Sequence, residues 1–178
     1  MFAITFQSAI GLLGALLIWL FSTPINWQGL PAWQAVGWGT VGGLLTFVAL
    51  IQLLQSRWLD MPIMQDHMRT LRTFTHSFSW PVLVILAVLA GVGEELLFRG
   101  FIQGWFMGQG WPWIGILVGA IIFGVVHYLS WLYCLLATGL GLLLGIVYWL
   151  TDSLLLVMVW HGVYDLVAIA YIRHLSEQ

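Results

Sequence analysis

Six apolar runs, each near the ~20 residues that a helix needs to cross a bilayer, dominate this chain of 178 residues. At bilayer depth no water is available to satisfy the backbone, so such runs must be helical. They extend from Met1 to Phe21, closed by Pro24, and from Pro31 to Gln55. A third begins at Pro81, a favourable first helical position, and ends between Gly104 and Gly110. The others run from Pro112 to Leu129, Leu132 to Leu150 and Ser153 to Ile172. With 61% hydrophobic residues, 7% charged and no lysine, a soluble domain with a large core is excluded. The expected fold is an all-α polytopic transmembrane bundle of about six spans, with a core of four helices.

The expected organisation is two transmembrane helices and a polar cytoplasmic loop over residues 1–80, a four-helix core over 81–172 and a tail over 173–178. Met1 to Phe21 lacks a basic stretch and a small-residue cleavage site, so it reads as a span rather than a cleaved signal. The polar stretch from Ser56 to Ser79 has room for a short interfacial helix and carries Arg57, Arg69 and Arg72. With six spans this loop and both termini share one side, together with Arg173, and the opposite loops carry no basic residue. The positive-inside rule then places both termini in the cytoplasm. Trp27, Trp33, Trp58, Trp80, Trp111 and Trp131 fall near helix ends, where amphipathic rings prefer the headgroup level. The pairs Gly39/Gly43, Gly115/Gly119, Ala120/Gly124 and Gly141/Gly145 are spaced for close helix approach. A net charge of −2 argues against a nucleic-acid partner. The single cysteine, Cys134, lies in an apolar run and reads as a small packing residue.

Six ionisable side chains interrupt these runs in three clusters: Glu94, Glu95 and Arg99; His127, with Phe123 one turn before it; and His161 with Asp165. A charge at bilayer depth costs from about 2.5 kcal/mol upward, so such groups need partners or a function. Residues four apart share a helix face, and Glu95–Arg99 has the acid in the better, N-terminal place. Glu94 is turned by about 100° from Glu95 and faces something else. The imidazoles of His127 and His161 are the candidates. A carboxylate and imidazoles around one cavity can hold a water molecule and deprotonate it. His161 or Asp165 can donate to the oxyanion of a tetrahedral intermediate, and Phe123 can wall the cavity. The Glu95–Arg99 pair serves either a structural or an indirect catalytic role. The rival reading is a proton or ion pathway, since Glu, His and Asp also build relays. His67, His76 and His174 lie in polar loops or the tail and receive no role. Asp152, in T-D-S-L, reads as a helix cap.

Glu94-Glu95-Leu96-Leu97-Phe98-Arg99-Gly100, Phe123-Gly124-Val125-Val126-His127 and His161-Gly162-Val163-Tyr164-Asp165 resemble the three motifs of the CPBP family. These are the CAAX-prenyl-protease and bacteriocin-processing (Abi) intramembrane proteases. Thr151-Asp152-Ser153-Leu154 is also similar to the family's entry to its last helix, and the resemblance covers Pro81 to Ile172. One motif alone would be weak; three in order, each on an apolar helix, are specific. The resemblance implies an intramembrane endopeptidase with Glu94 as catalytic base. It implies that His127 helps hold the attacking water, and that His161 and Asp165 form the oxyanion side. Many members carry Asn at the last place. An ionised Asp165 would repel an oxyanion, so it is protonated, paired with His161, or used differently.

The family includes members described as metalloproteases and others described as metal-independent glutamic proteases. Two histidines with Glu94 or Asp165 would suit catalytic zinc, but the H-E-x-x-H spacing is absent and the ligands come from three helices. A metal-free site is therefore the favoured expectation. The expected partners are the bilayer and a membrane-associated protein or peptide substrate. Prenylated C-termini, bacteriocin-type leaders and C-terminal sorting signals are all compatible, as is self-immunity to a peptide toxin. A non-catalytic immunity or scaffold protein and a proton-coupled transporter are the alternatives. The short chain resembles bacterial members, which sets the expected location at the inner or plasma membrane.

Overall fold

The computed structural model describes residues 2–25, 27, 29–55 and 62–174. Arg57 and Trp58 lie outside the described residues, as do Met1 and residues 175–178 of the tail. The described residues are helical, without strands. They form α1 (Phe2–Leu20), α2 (Ala32–Gln55), α3 (Pro62–His76) and α4 (Trp80–Glu95), which runs into a π-helical segment (Leu96–Gln103) and α5 (Gly104–Gly108). Then come α6 (Pro112–Val126), α7 (Trp131–Thr151) and α8 (Leu154–His174). The six apolar runs thus become six helical rods, with α4, the π segment and α5 making one of 29 residues.

Five of the rods are long and apolar enough to cross a membrane, and the chain is an integral membrane protein. The sixth, α6, has only 15 residues and stops short of the expected Leu129. The cause is His127. In a continuing helix the Phe123 carbonyl would accept from the backbone N–H of residue 127. Here the His127 ring takes it, with Nδ1 at 2.7 Å, and the His127 N–H turns to the Gly124 carbonyl at 3.2 Å. The expected interfacial helix is α3, amphipathic and bearing Arg69 and Arg72 on its exposed and half-buried faces. Asp152 corrects the expectation of a helix cap at the start of α8. It closes α7 in a left-handed conformation (φ 51°), and Ser153 caps α8 by accepting from the Leu156 N–H at 3.3 Å.

Small residues set the packing. Gly39 and Gly43 of α2 lie on the backbone of α8 at Leu156 and Trp160. Gly115 and Gly119 of α6 face Gln103 and Phe98 of the π segment, and Gly124 faces Cys134 and Thr138 of α7. Gly91 of α4 meets α8 so closely that a β-carbon there would stand 2.7 Å from the Gly162 nitrogen and the Met158 oxygen. That contact lays the end of α4 beside His161. A core of Ala35, Leu144, Tyr148, Leu154, Val157 and Met158 closes one end of the bundle. The other end carries α3, the 127–130 turn and Arg173, whose Nη1 donates to the Phe78 carbonyl at 3.1 Å and whose guanidinium lies over Trp80.

Candidate active site

A cavity of about 800 Å³ opens between α2, α3, α7 and α8. Its walls are largely apolar, with Leu50, Leu71, Phe74, Leu136 and Ile172 among them. Leu50 of α2, Met68 of α3 and Leu136 of α7 line it and pack together on Leu132. Glu94, His127, His161 and Asp165 all line the cavity, joined by Gln7. The three clusters, far apart in sequence, therefore meet in one place.

Glu95 is fully buried, and its Oε1 accepts from Arg99 Nη1 at 2.6 Å and from His161 Nδ1 at 2.8 Å. The ion pair expected from the four-residue spacing is present, and it also holds an imidazole. Arg99 is 1% exposed, yet its second nitrogen, Nη2, donates to the Gly141 carbonyl at 2.9 Å and its plane lies over Phe123. Gln103, one turn on, donates to the Gly145 carbonyl at 2.8 Å. The π segment is thus hooked to two α7 carbonyls at the glycines where helices approach closely.

Glu94 is turned away from this pair. Its Oε1 accepts from Gln7 Nε2 at 2.8 Å. Its Oε2 is buried, accepts no hydrogen bond from the described residues, and lies 3.4 Å from His127 Nε2 and 4.0 Å from His161 Nε2. Phe123 contributes its carbonyl to His127 and its ring between the two imidazoles, 4.4 Å from one centroid and 5.7 Å from the other. Asp165, one turn beyond His161, places Oδ2 3.5 Å from His161 Nε2.

The partners assign the tautomers. A carbonyl only accepts, so His127 Nδ1 carries a proton and donates to Phe123. A carboxylate only accepts, so His161 Nδ1 carries one and donates to Glu95. Both Nε2 atoms then face Glu94 Oε2 as lone pairs, or as donors when the ring is doubly protonated. The site can accept one proton on Glu94 Oε2 and return it, with an imidazole on either side to share it.

Two residues escaped the sequence reading. Gln7 contacts the glutamate from α1, 87 positions away. An uncharged polar side chain inside an apolar run was the available signal. His67, set aside as a loop residue, is buried on α3 and lines the cavity.

A model of the family described as type II CAAX prenyl endopeptidase Rce1-like matches residues 76–167, more than half of the chain. The chain is also 29% identical over 133 residues to the uncharacterized protein YpbD of Bacillus subtilis (strain 168). That match takes in 73% of this chain and 66% of YpbD, just under two thirds of the relative's length. No solved structure matches the chain.

Proposed function

The chain belongs to the Rce1-like family of type II CAAX prenyl endopeptidases, within the CPBP proteases, and from that premise we propose that it is an intramembrane endopeptidase in which Glu94 activates water. The observation that carries the reading is Glu94 Oε2, a buried oxygen with no hydrogen bond from the described residues, aimed at two imidazoles at the cavity wall. A buried carboxylate oxygen left in that state is costly unless something reactive or protic meets it. In the proposed cycle, Glu94 Oε2 takes a proton from water held against His127, and the hydroxide attacks the scissile carbonyl carbon. His161, held by Glu95 and paired with Asp165, donates from Nε2 to the oxyanion when doubly protonated. The C–N bond then breaks, and Glu94 returns its proton to the leaving amine. The apolar walls favour a membrane-embedded or membrane-associated peptide as substrate.

A zinc ion would draw on His127 Nε2, His161 Nε2 and a carboxylate, and would supply Lewis-acid activation of water. Ligand atoms on a tetrahedral zinc with bonds of ~2.0–2.1 Å stand about 3.3 Å apart. Glu94 and His127 meet that spacing, but the 4.0 Å from Glu94 to His161 is too wide. No group of three His, Cys, Asp or Glu among the described residues stands at metal-ligand spacing. The donor set as positioned does not close on one ion, and the proposed cycle uses none. The test is cleavage of a membrane-peptide library by purified protein, with metal analysis before and after chelation. Activity is expected to survive chelation within about twofold. Stoichiometric zinc, with activity lost on removal and regained on return, would overturn the glutamic mechanism.

The proposed orientation has both termini, α3 and the cavity mouth on the cytoplasmic side, following the placement of arginines. Tyr128 stands in the 127–130 turn and is exposed, whereas Ser130 is buried and caps α7 by accepting from the Tyr133 N–H. Tyr128→Cys, in a variant with Cys134→Ser, should react with a membrane-impermeant thiol reagent added from the cytoplasmic side. Labelling from the opposite side alone would reverse the orientation.

A further inference from the structure

We propose that Gln7 is the positioning residue of Glu94: its amide holds Oε1 so that Oε2 is the oxygen presented to the imidazoles. This inference rests on the endopeptidase reading and brings into the site a helix outside the matched segment of 76–167. Gln7 stands on α1 among apolar residues and is half-buried. Its Nε2 donates to Glu94 Oε1 at 2.8 Å, and the same residue lines the cavity. α1 is held in register with α4 by backbone proximity. A β-carbon on Gly11 would lie 3.1 Å from the Gly93 α-carbon, and one on Gly14 would lie 2.7 Å from the Leu97 nitrogen. Gln7, Gly11 and Gly14 follow helical spacing, so one face of α1 both seats the helix and delivers the amide.

A carboxylate turning about its last bond exchanges its two oxygens. With neither oxygen bonded, Glu94 would present a mixture of orientations to the water. The amide removes that freedom, because Oε1 is the oxygen it reaches and the imidazoles lie on the other side. An amide suits this place. It donates without adding a charge beside the base, and it does not release a proton at any pH where the protein is folded.

The test compares wild type, Gln7→Met and Gln7→Leu, with Glu94→Gln as the inactive reference, on one membrane-peptide substrate. Methionine keeps the length of glutamine and has no N–H. A charge-assisted hydrogen bond is worth roughly 10- to 100-fold in an equilibrium, so kcat should fall by about that factor in both variants, with KM within about twofold. Melting temperatures supply a readout independent of turnover. The shift caused by Gln7→Met should largely vanish in a Glu94→Leu background, where the bond has no acceptor. Unchanged kcat in both Gln7 variants, beside an active wild type and a dead Glu94→Gln, would overturn the inference and leave the endopeptidase reading standing. Equal melting shifts in both backgrounds would also overturn it. Equal cleavage by wild type and Glu94→Gln would overturn the endopeptidase reading, and this inference with it.

Discussion

Glu94→Gln is expected to leave the protein folded and to lower its cleavage rate by about 10²- to 10⁴-fold, the range supplied by a general base. The substitution changes one oxygen for an amide of the same shape. Its remaining oxygen can still accept from Gln7, and its new N–H₂ can donate to the lone pair of His127, 3.4 Å from the oxygen it replaces. The buried Arg99 keeps its ion pair, since it is bonded to Glu95 rather than to Glu94. What disappears is the capacity to take a proton. Turnover on a membrane peptide and the melting temperature in detergent check the two halves separately. Cleavage equal to wild type would sink the enzymatic reading. Ion-dependent flux in liposomes would then favour the transporter.

The neighbouring residue should behave in the opposite way. Glu95→Gln is expected to destabilise the fold by about 3–5 kcal/mol, because it strands the buried Arg99 without its counter-charge. It also removes the carboxylate that accepts from His161 Nδ1. Replacing both members, as Glu95→Leu with Arg99→Leu, should recover part of the stability, since no charge is then left unpaired. Activity should not recover with it, because His161 still lacks its orienting partner. Denaturant titration of the two single variants and the double variant measures the first effect, and kcat the second. Normal folding of Glu95→Gln beside an unfolded Glu94→Gln would reverse the two assignments.

The contrast between these neighbours was legible from spacing. Residues four apart meet on a helix, and Glu95 and Arg99 do so, which left Glu94 for the imidazoles. The apolar runs likewise marked the rods, and small residues four apart marked where rods touch. Other features depend on contacts that spacing does not carry. Gln7 acquires a meaning only when α1 lies against α4. The π segment interrupts a run whose hydrophobicity is unbroken, and its hooks, Arg99 and Gln103, reach carbonyls on a helix about forty positions away. The expected end of α6 at Leu129 overshoots because the apolar run continues through that residue. The helix stops short of it through a side-chain bond, His127 to Phe123, which hydropathy does not register. In Thr151-Asp152-Ser153 the cap is expected at Asp152, but a left-handed Asp152 closes α7 and the cap of α8 is Ser153.

The shortness of α6 also sets the local relation between protein and lipid. Fifteen residues rise about 22 Å, against a hydrocarbon core of about 30 Å. The longer rods beside it match the full thickness, so the mismatch is confined to one sector of the perimeter. Acyl chains there must compress, or headgroups must dip, at one end of α6 or at both. His127 ends that short rod and also lines the cavity. A bilayer thinned at that end of α6 would lie close to Glu94, whose Oε2 is 3.4 Å from His127 Nε2. The distance that water and a polar backbone must travel to reach it is set jointly by the protein and by the lipid around it.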